Sequence, residues 1–96
     1  MLDIDPAALE TFCRRNDIER LRVFGSYARG SARPDSDIDL LVRFSKPKSL
    51  IGHMAIEEGL AILLGRRIDL VTESALSPYM RERILEEARD VYPAAA

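Results

Sequence analysis

The chain has 96 residues, 14 of them Lys or Arg and 16 Asp or Glu, for a formal net charge of -2. That length suits one domain, residues 1–96, with a modest core and no need of disulfide staples. The charge balance argues against direct nucleic-acid binding, since phosphate-tracking proteins carry a clear basic excess.

Asp5-Pro6 reads as a helix start, with Asp as N-cap and Pro in the first turn. Leu9, Phe12 and Cys13 then share a face, so a first helix is expected to about Asn16. Cys13 is expected to pack on that face. As the single cysteine it allows no internal disulfide, which suits a reducing cytoplasm, and one Cys with one His makes no zinc site. The acidic start "MLDIDPAALE" lacks the basic and apolar regions of a signal peptide. Arg14 and Arg15, like Arg66 and Arg67 later, read as solvated helix ends.

"RLRVFG" alternates Leu21 and Val23 with arginines, as in a half-buried strand that Gly25 ends. Ser26 is expected to cap a short helical turn, and "RGSARPDS" is a polar loop. "DIDLLVRF" is a second strand, with Ile38, Leu40 and Val42 on one face and Asp37 and Asp39 on the other. Ser49 opens a helix through Leu64, with Met54, Ala55, Ile62 and Leu63 among its apolar positions and Gly65 as its stop. Its apolar stretch from Gly59 to Gly65 is far too short to span a membrane. "RRIDLVT" is a third strand. Ser77-Pro78 opens a last helix in which Met80, Ile84, Ala88 and Val91 recur at helical spacing, before a frayed "PAAA" tail. The order αβ(α)βαβα gives an α/β class, a small sheet covered by helices.

Two aspartates at i and i+2 on a strand project together and repel, and a hard divalent cation such as Mg²⁺ with oxygen ligands relieves that repulsion. Asp69, between Ile68 and Leu70, offers a third carboxylate. If its strand lies beside the second, three carboxylates converge, enough to hold two ions astride a transferring phosphoryl group. Gly25 would let a phosphate approach the backbone. The Ser26 hydroxyl and the amides after it could donate to phosphate oxygens. Together they describe a nucleoside triphosphate site.

Gly-Ser, ten residues, then Asp-x-Asp, in "GSYARGSARPDSDIDLLV" with a later "IDLV", resembles the signature of the DNA polymerase β-like nucleotidyltransferase superfamily. The chain is similar, over nearly all its length, to the minimal nucleotidyltransferases. The resemblance implies a small mixed sheet flanked by helices. It also implies AMP transfer from ATP, with two Mg²⁺ ions, to a hydroxyl (a tyrosine in the expected case) of a HEPN-domain toxin that the protein silences as antitoxin. Asp37 and Asp39 would hold the metals. Asp69 would hold one of them and help deprotonate the attacking hydroxyl. Gly25 and Ser26 would hold the triphosphate, and Arg29 and Ser36 would reach phosphate. The chain after Asp69 leaves little room for an acceptor pocket, which favours a protein acceptor.

Two alternatives remain at this stage: neutralisation of the toxin by binding alone, or a small-molecule acceptor. The residues also have plainer readings. Asp37 and Asp39 could be edge-strand charges, Asp69 could be solvated, and Arg29 could pair with Asp35 or Asp37. His53 is expected to be a helix histidine rather than a general base. Tyr27 could stack on a base or pack, and Tyr79 and Tyr92 are expected at the core edge.

Overall fold

The computed structural model describes residues 4–93. Helix α1 (Pro6–Arg15) starts where the sequence signals it: the Asp5 carboxylate accepts from the Ala7 amide, and Asn16 closes the helix. Strand β1 (Ile18–Phe24) runs into a one-turn helix α2 (Ser26–Arg29). Strand β2 (Ile38–Phe44), helix α3 (Leu50–Leu64) and strand β3 (Ile68–Thr72) follow, with Ser49 as N-cap and Gly65 as C-cap of α3. After a single 3-10 turn (Glu73–Ala75) come helix α4 (Pro78–Glu87), capped by Ser77, and strand β4 (Arg89–Tyr92).

The strands form one mixed sheet in the order β3-β2-β1-β4. β1 is antiparallel to β2 and β4, and β2 is parallel to β3, the crossover being α3. One sheet face carries Leu21, Val23, Ile38, Leu40, Val42 and Leu70. They form a single core with Leu9 and Cys13 of α1 and Ile56 and Leu60 of α3. Cys13 packs there as expected, and burial pushes its thiol up to about 12, which leaves it inert at neutral pH. Gly59 is set by space: a Cβ there would meet the Phe12 ring at 2.7 Å.

Three expectations need correction. Val91 belongs to β4, not to the last helix; α4 ends at Glu87 with Ala88 as its C-cap. Ile84, Ala88 and Val91 do stand at helical spacing, but the pairing of Arg89, Asp90 and Tyr92 with β1 outweighs that pattern. Met54, Ala55 and Ile62 face outward, Ile62 being 77% exposed, while Ile56 and Leu60 are buried. A helix apolar on every side does not reveal by periodicity which side packs. Tyr79 is 96% exposed rather than at the core edge, whereas Tyr92 does pack against the core. Of the expected tail, Ala94–Ala96 lie outside the described residues. No helix among the described residues is long and apolar enough to cross a membrane.

The other sheet face is not bare. By alternation it holds Arg22 and Leu41, both buried, and Ile84 of α4 is buried outside the core cluster. The Arg22 guanidinium bonds Glu73, whose carboxylate also meets Arg43 at 3.3 Å and Arg81 at 3.8 Å. Burial alone would raise the Glu73 carboxyl, but Arg22 and Arg43 outweigh it and hold it below the usual carboxylate range. A lowered folded pKa means that this tie is complete at neutral pH and weakens as pH falls through that value. It anchors the end of β3, and hence the strand that carries Asp69.

α3 fixes the same strand from the side. The Leu70 amide donates to Glu57 Oε2 at 2.8 Å, and the Leu70 carbonyl lies 2.7 Å from His53 Nε2. His53 therefore carries its proton on Nε2 and serves the backbone, as its helix position suggested. His53→Ala is expected to lower unfolding stability by about 1–2 kcal/mol, the worth of that bond. It should leave the pH profile of catalysis unchanged. Denaturant melts and a pH–rate series check both parts, and a lost acidic limb would make His53 a base after all.

Candidate active site

The site is built by register. Phe24 pairs with Asp39 across β1 and β2, and Asp39 pairs with Asp69 across β2 and β3. Residues in register project to the same side of a sheet, so Asp39 and Asp69 are neighbours on the face away from the core. Asp37 precedes β2 by one residue and has the same parity. The strand holding Asp69 thus lies beside the second strand, the condition on which convergence depended.

Gly25 comes directly after Phe24, buried beneath Asp39. A Cβ at Gly25 would sit 2.3 Å from Asp39 Oδ2, and the residue has φ +71. With ψ -148 this is backbone that side chains rarely adopt, and it turns the chain sharply from β1 into α2. Gly25 is also the N-cap of α2, so Ser26 is the first helical residue and not the cap it was expected to be. Its hydroxyl has no capping duty and stands beside the Gly25 turn. Gly25→Ala is expected to cost about 1–3 kcal/mol in backbone strain and to displace the Asp39 carboxylate. Denaturant unfolding measures the first effect. Nucleotide affinity, expected to fall, measures the second.

The electrostatics are those of a site short of positive charge. The Asp39 carboxyl is pushed above its ordinary value, first by burial, then by Asp69 and Asp37, with only Arg29 opposing. Asp37 is more exposed and turns to Arg67, whose Nε lies 3.1 Å from Oδ1. Among the described residues no three His, Cys, Asp or Glu side chains stand gathered for a metal ion. The donor set nevertheless fits a hard cation. It is all carboxylate oxygen, two members are adjacent in register, and the third is held by an exposed ion pair worth little, about 0–1 kcal/mol.

The remaining candidates are placed as follows. Arg29 pairs with neither Asp35 nor Asp37: its Nη1 lies 3.3 Å from both carboxylate oxygens of Glu87. Ser36 shapes the loop, its hydroxyl accepting from the Arg33 amide at 2.9 Å. Arg66 is no solvated helix end. It donates to the Ser36 carbonyl at 2.5 Å and lies over the Tyr27 ring at 5.4 Å, clasping the loop to α2. Tyr27 accordingly packs against the core. Glu87, missed in the sequence, accepts from the Gly25 amide at 3.1 Å. Its only signal was a position near the end of the last helix, which says nothing of a strand end 62 residues earlier. A groove of about 630 Å³ opens beside Asp37 and Arg67 along Ile51 and Met54 of α3. A larger cavity, about 750 Å³, lies at the far end of β2 and touches none of the three aspartates.

The family model for the nucleotidyltransferase domain matches residues 6–91. The protein adenylyltransferase MntA of Thermococcus cleftensis is 44% identical over 73 residues, covering 76% of this chain and 74% of that protein. A solved structure provisionally described as a minimal nucleotidyltransferase is 46% identical, with a TM-score of 0.73 over 88% of this chain and 86% of that one. A Shewanella oneidensis complex of a tri-AMPylated HEPN toxin with its MNT antitoxin matches at TM-score 0.66 and 20% identity, over 91% of this chain and 68% of that one. At that identity the last likeness speaks for the fold alone. Gly25 beneath Asp39, with Asp69 in register beside it, stands within the matched span, and the chain is a nucleotidyltransferase of the minimal (MNT) family.

Proposed function

We propose that the chain is an Mg²⁺-dependent protein adenylyltransferase that moves AMP from ATP to a hydroxyl, a tyrosine in the simplest case, of a HEPN toxin and thereby silences it. The observation that carries this reading is the register pairing of Asp39 with Asp69 directly above Gly25. It puts carboxylates and a close backbone approach within one side-chain length of each other. The relative named protein adenylyltransferase MntA supports the choice of AMP and of a protein acceptor. The HEPN complex of the same fold supports the choice of partner.

Each part of the site then has a task. Asp37, Asp39 and Asp69 would hold the cations, which neutralise phosphate charge and orient the triphosphate. The Gly25 amide, the Ser26 hydroxyl and the Arg29 guanidinium donate to phosphate oxygens. Ser36 acts at one remove, by shaping the loop. The acceptor hydroxyl oxygen attacks the α-phosphorus as its proton passes to an Asp69 carboxylate oxygen. The bond from the α-phosphorus to the bridging oxygen breaks, and pyrophosphate leaves with that electron pair. Asp69 suits the proton because it is the exposed member of the pair, open to an acceptor from outside. Asp39 lies deeper, against Gly25.

Intact mass spectrometry of a co-purified HEPN protein, before and after ATP and Mg²⁺, tests the reading. Mass gain in AMP steps supports it. An unmodified toxin that is nonetheless silenced would make the protein an antitoxin by occlusion.

A further inference from the structure

Two of the three proposed phosphate donors, the Gly25 amide and the Arg29 guanidinium, are already engaged by an anion. Glu87 Oε1 accepts from the Gly25 amide at 3.1 Å, and both Glu87 oxygens lie 3.3 Å from Arg29 Nη1. The Glu87 side chain is 17% exposed, so this is no loose surface contact. Its place is otherwise unfavourable. Glu87 is the last residue of α4, where the helix dipole repels a carboxylate. It also adds to the charge that pushes the Asp39 carboxyl upward. A carboxylate held against its own helix end and a neighbouring aspartate is there for its two donors. A planar anion bound by one amide and one guanidinium occupies the position a phosphate would take.

We propose that Glu87 is a built-in stand-in for phosphate, holding the Gly25 turn and Arg29 in place until the triphosphate displaces it. This inference rests on the nucleotide reading of the site. Residence of Glu87 keeps the loop ordered without ligand, and its displacement hands the same donors to the nucleotide. Since only Ala88 separates Glu87 from β4, its departure also loosens the junction between α4 and the sheet edge, coupling nucleotide entry to that segment. An internal competitor weakens binding by the fraction of time it occupies the site. A residue that only positioned Arg29 for phosphate would do the reverse, and its loss would weaken binding.

The test is calorimetric titration of ATP with Mg²⁺ into wild type, Glu87→Gln and Glu87→Ala. Glu87→Gln is isosteric and keeps the fold comparison fair. Melts without nucleotide should show both variants folded and slightly less stable. ATP should bind tighter to both, by about tenfold for Glu87→Ala, the worth of one charged hydrogen bond. A wild type that binds ATP beside variants that bind equally or more weakly overturns the stand-in and leaves the nucleotide site intact. Binding of ATP by none of the three overturns the nucleotide reading and the stand-in with it.

Discussion

Asp69→Asn is expected to cut AMP transfer by roughly 10²–10⁴-fold, the range over which a positioned proton acceptor contributes. ATP binding should stay within about threefold of wild type, because the change is isosteric and the residue is the exposed partner of its pair. The fold should not suffer, since β3 is held by Leu70 through Glu57 and His53 and by the Glu73 cluster. None of those contacts uses Asp69. Single-turnover transfer and ATP titration on the same preparation separate the two effects. Equal loss of binding and transfer would assign Asp69 to holding the nucleotide alone.

The double substitution Asp37→Asn with Asp39→Asn is expected to abolish the stabilisation that nucleotide and Mg²⁺ confer. A ligand at 100 times its Kd stabilises the folded state by about 2.7 kcal/mol. In a domain of this size that is a Tm rise on the order of 10 °C. The metal-free variant should itself be more stable than wild type at neutral pH. The sign follows from Asp39, whose folded pKa is raised, first by burial and then by Asp69 and Asp37. An acid with a raised folded pKa destabilises the fold while ionised, and the penalty fades as pH falls through that value. The gap between variant and wild type should therefore be widest near neutrality and close on acidification. Melts with chelator across pH 4–8 check this. Equal ligand-induced shifts in both proteins would place the metal elsewhere.

Much of the architecture was legible because local signals agreed with the fold. Asp5-Pro6, Ser49 and Ser77-Pro78 each start a helix where they stand, and Gly65 ends one. The alternation in "DIDLLV" gave β2 its correct face, and the site could be read from it. What stayed hidden depends on contacts distant in sequence. β4 is only four residues long and imitates a helix in its spacing, so pairing with β1 alone defines it. Arg22 alternates like a surface residue but is buried and answered by Glu73, 51 residues on. Arg66 reads as a charge after a helix stop, yet its work is on a loop 30 residues earlier. The site followed the same division. Asp39, Asp69 and Gly25 are placed by strand period and register, whereas Arg29's partner Glu87 is placed by the return of α4.

The most direct measurement of the central claim is the intact mass of a HEPN toxin co-expressed with this chain, taken after incubation of the complex with ATP and Mg²⁺. Adenylyl transfer predicts a gain in whole AMP units with wild type, no gain with Asp69→Asn, and release of toxicity in cells carrying that variant. A toxin of unchanged mass, silenced equally by wild type and Asp69→Asn, would contradict it.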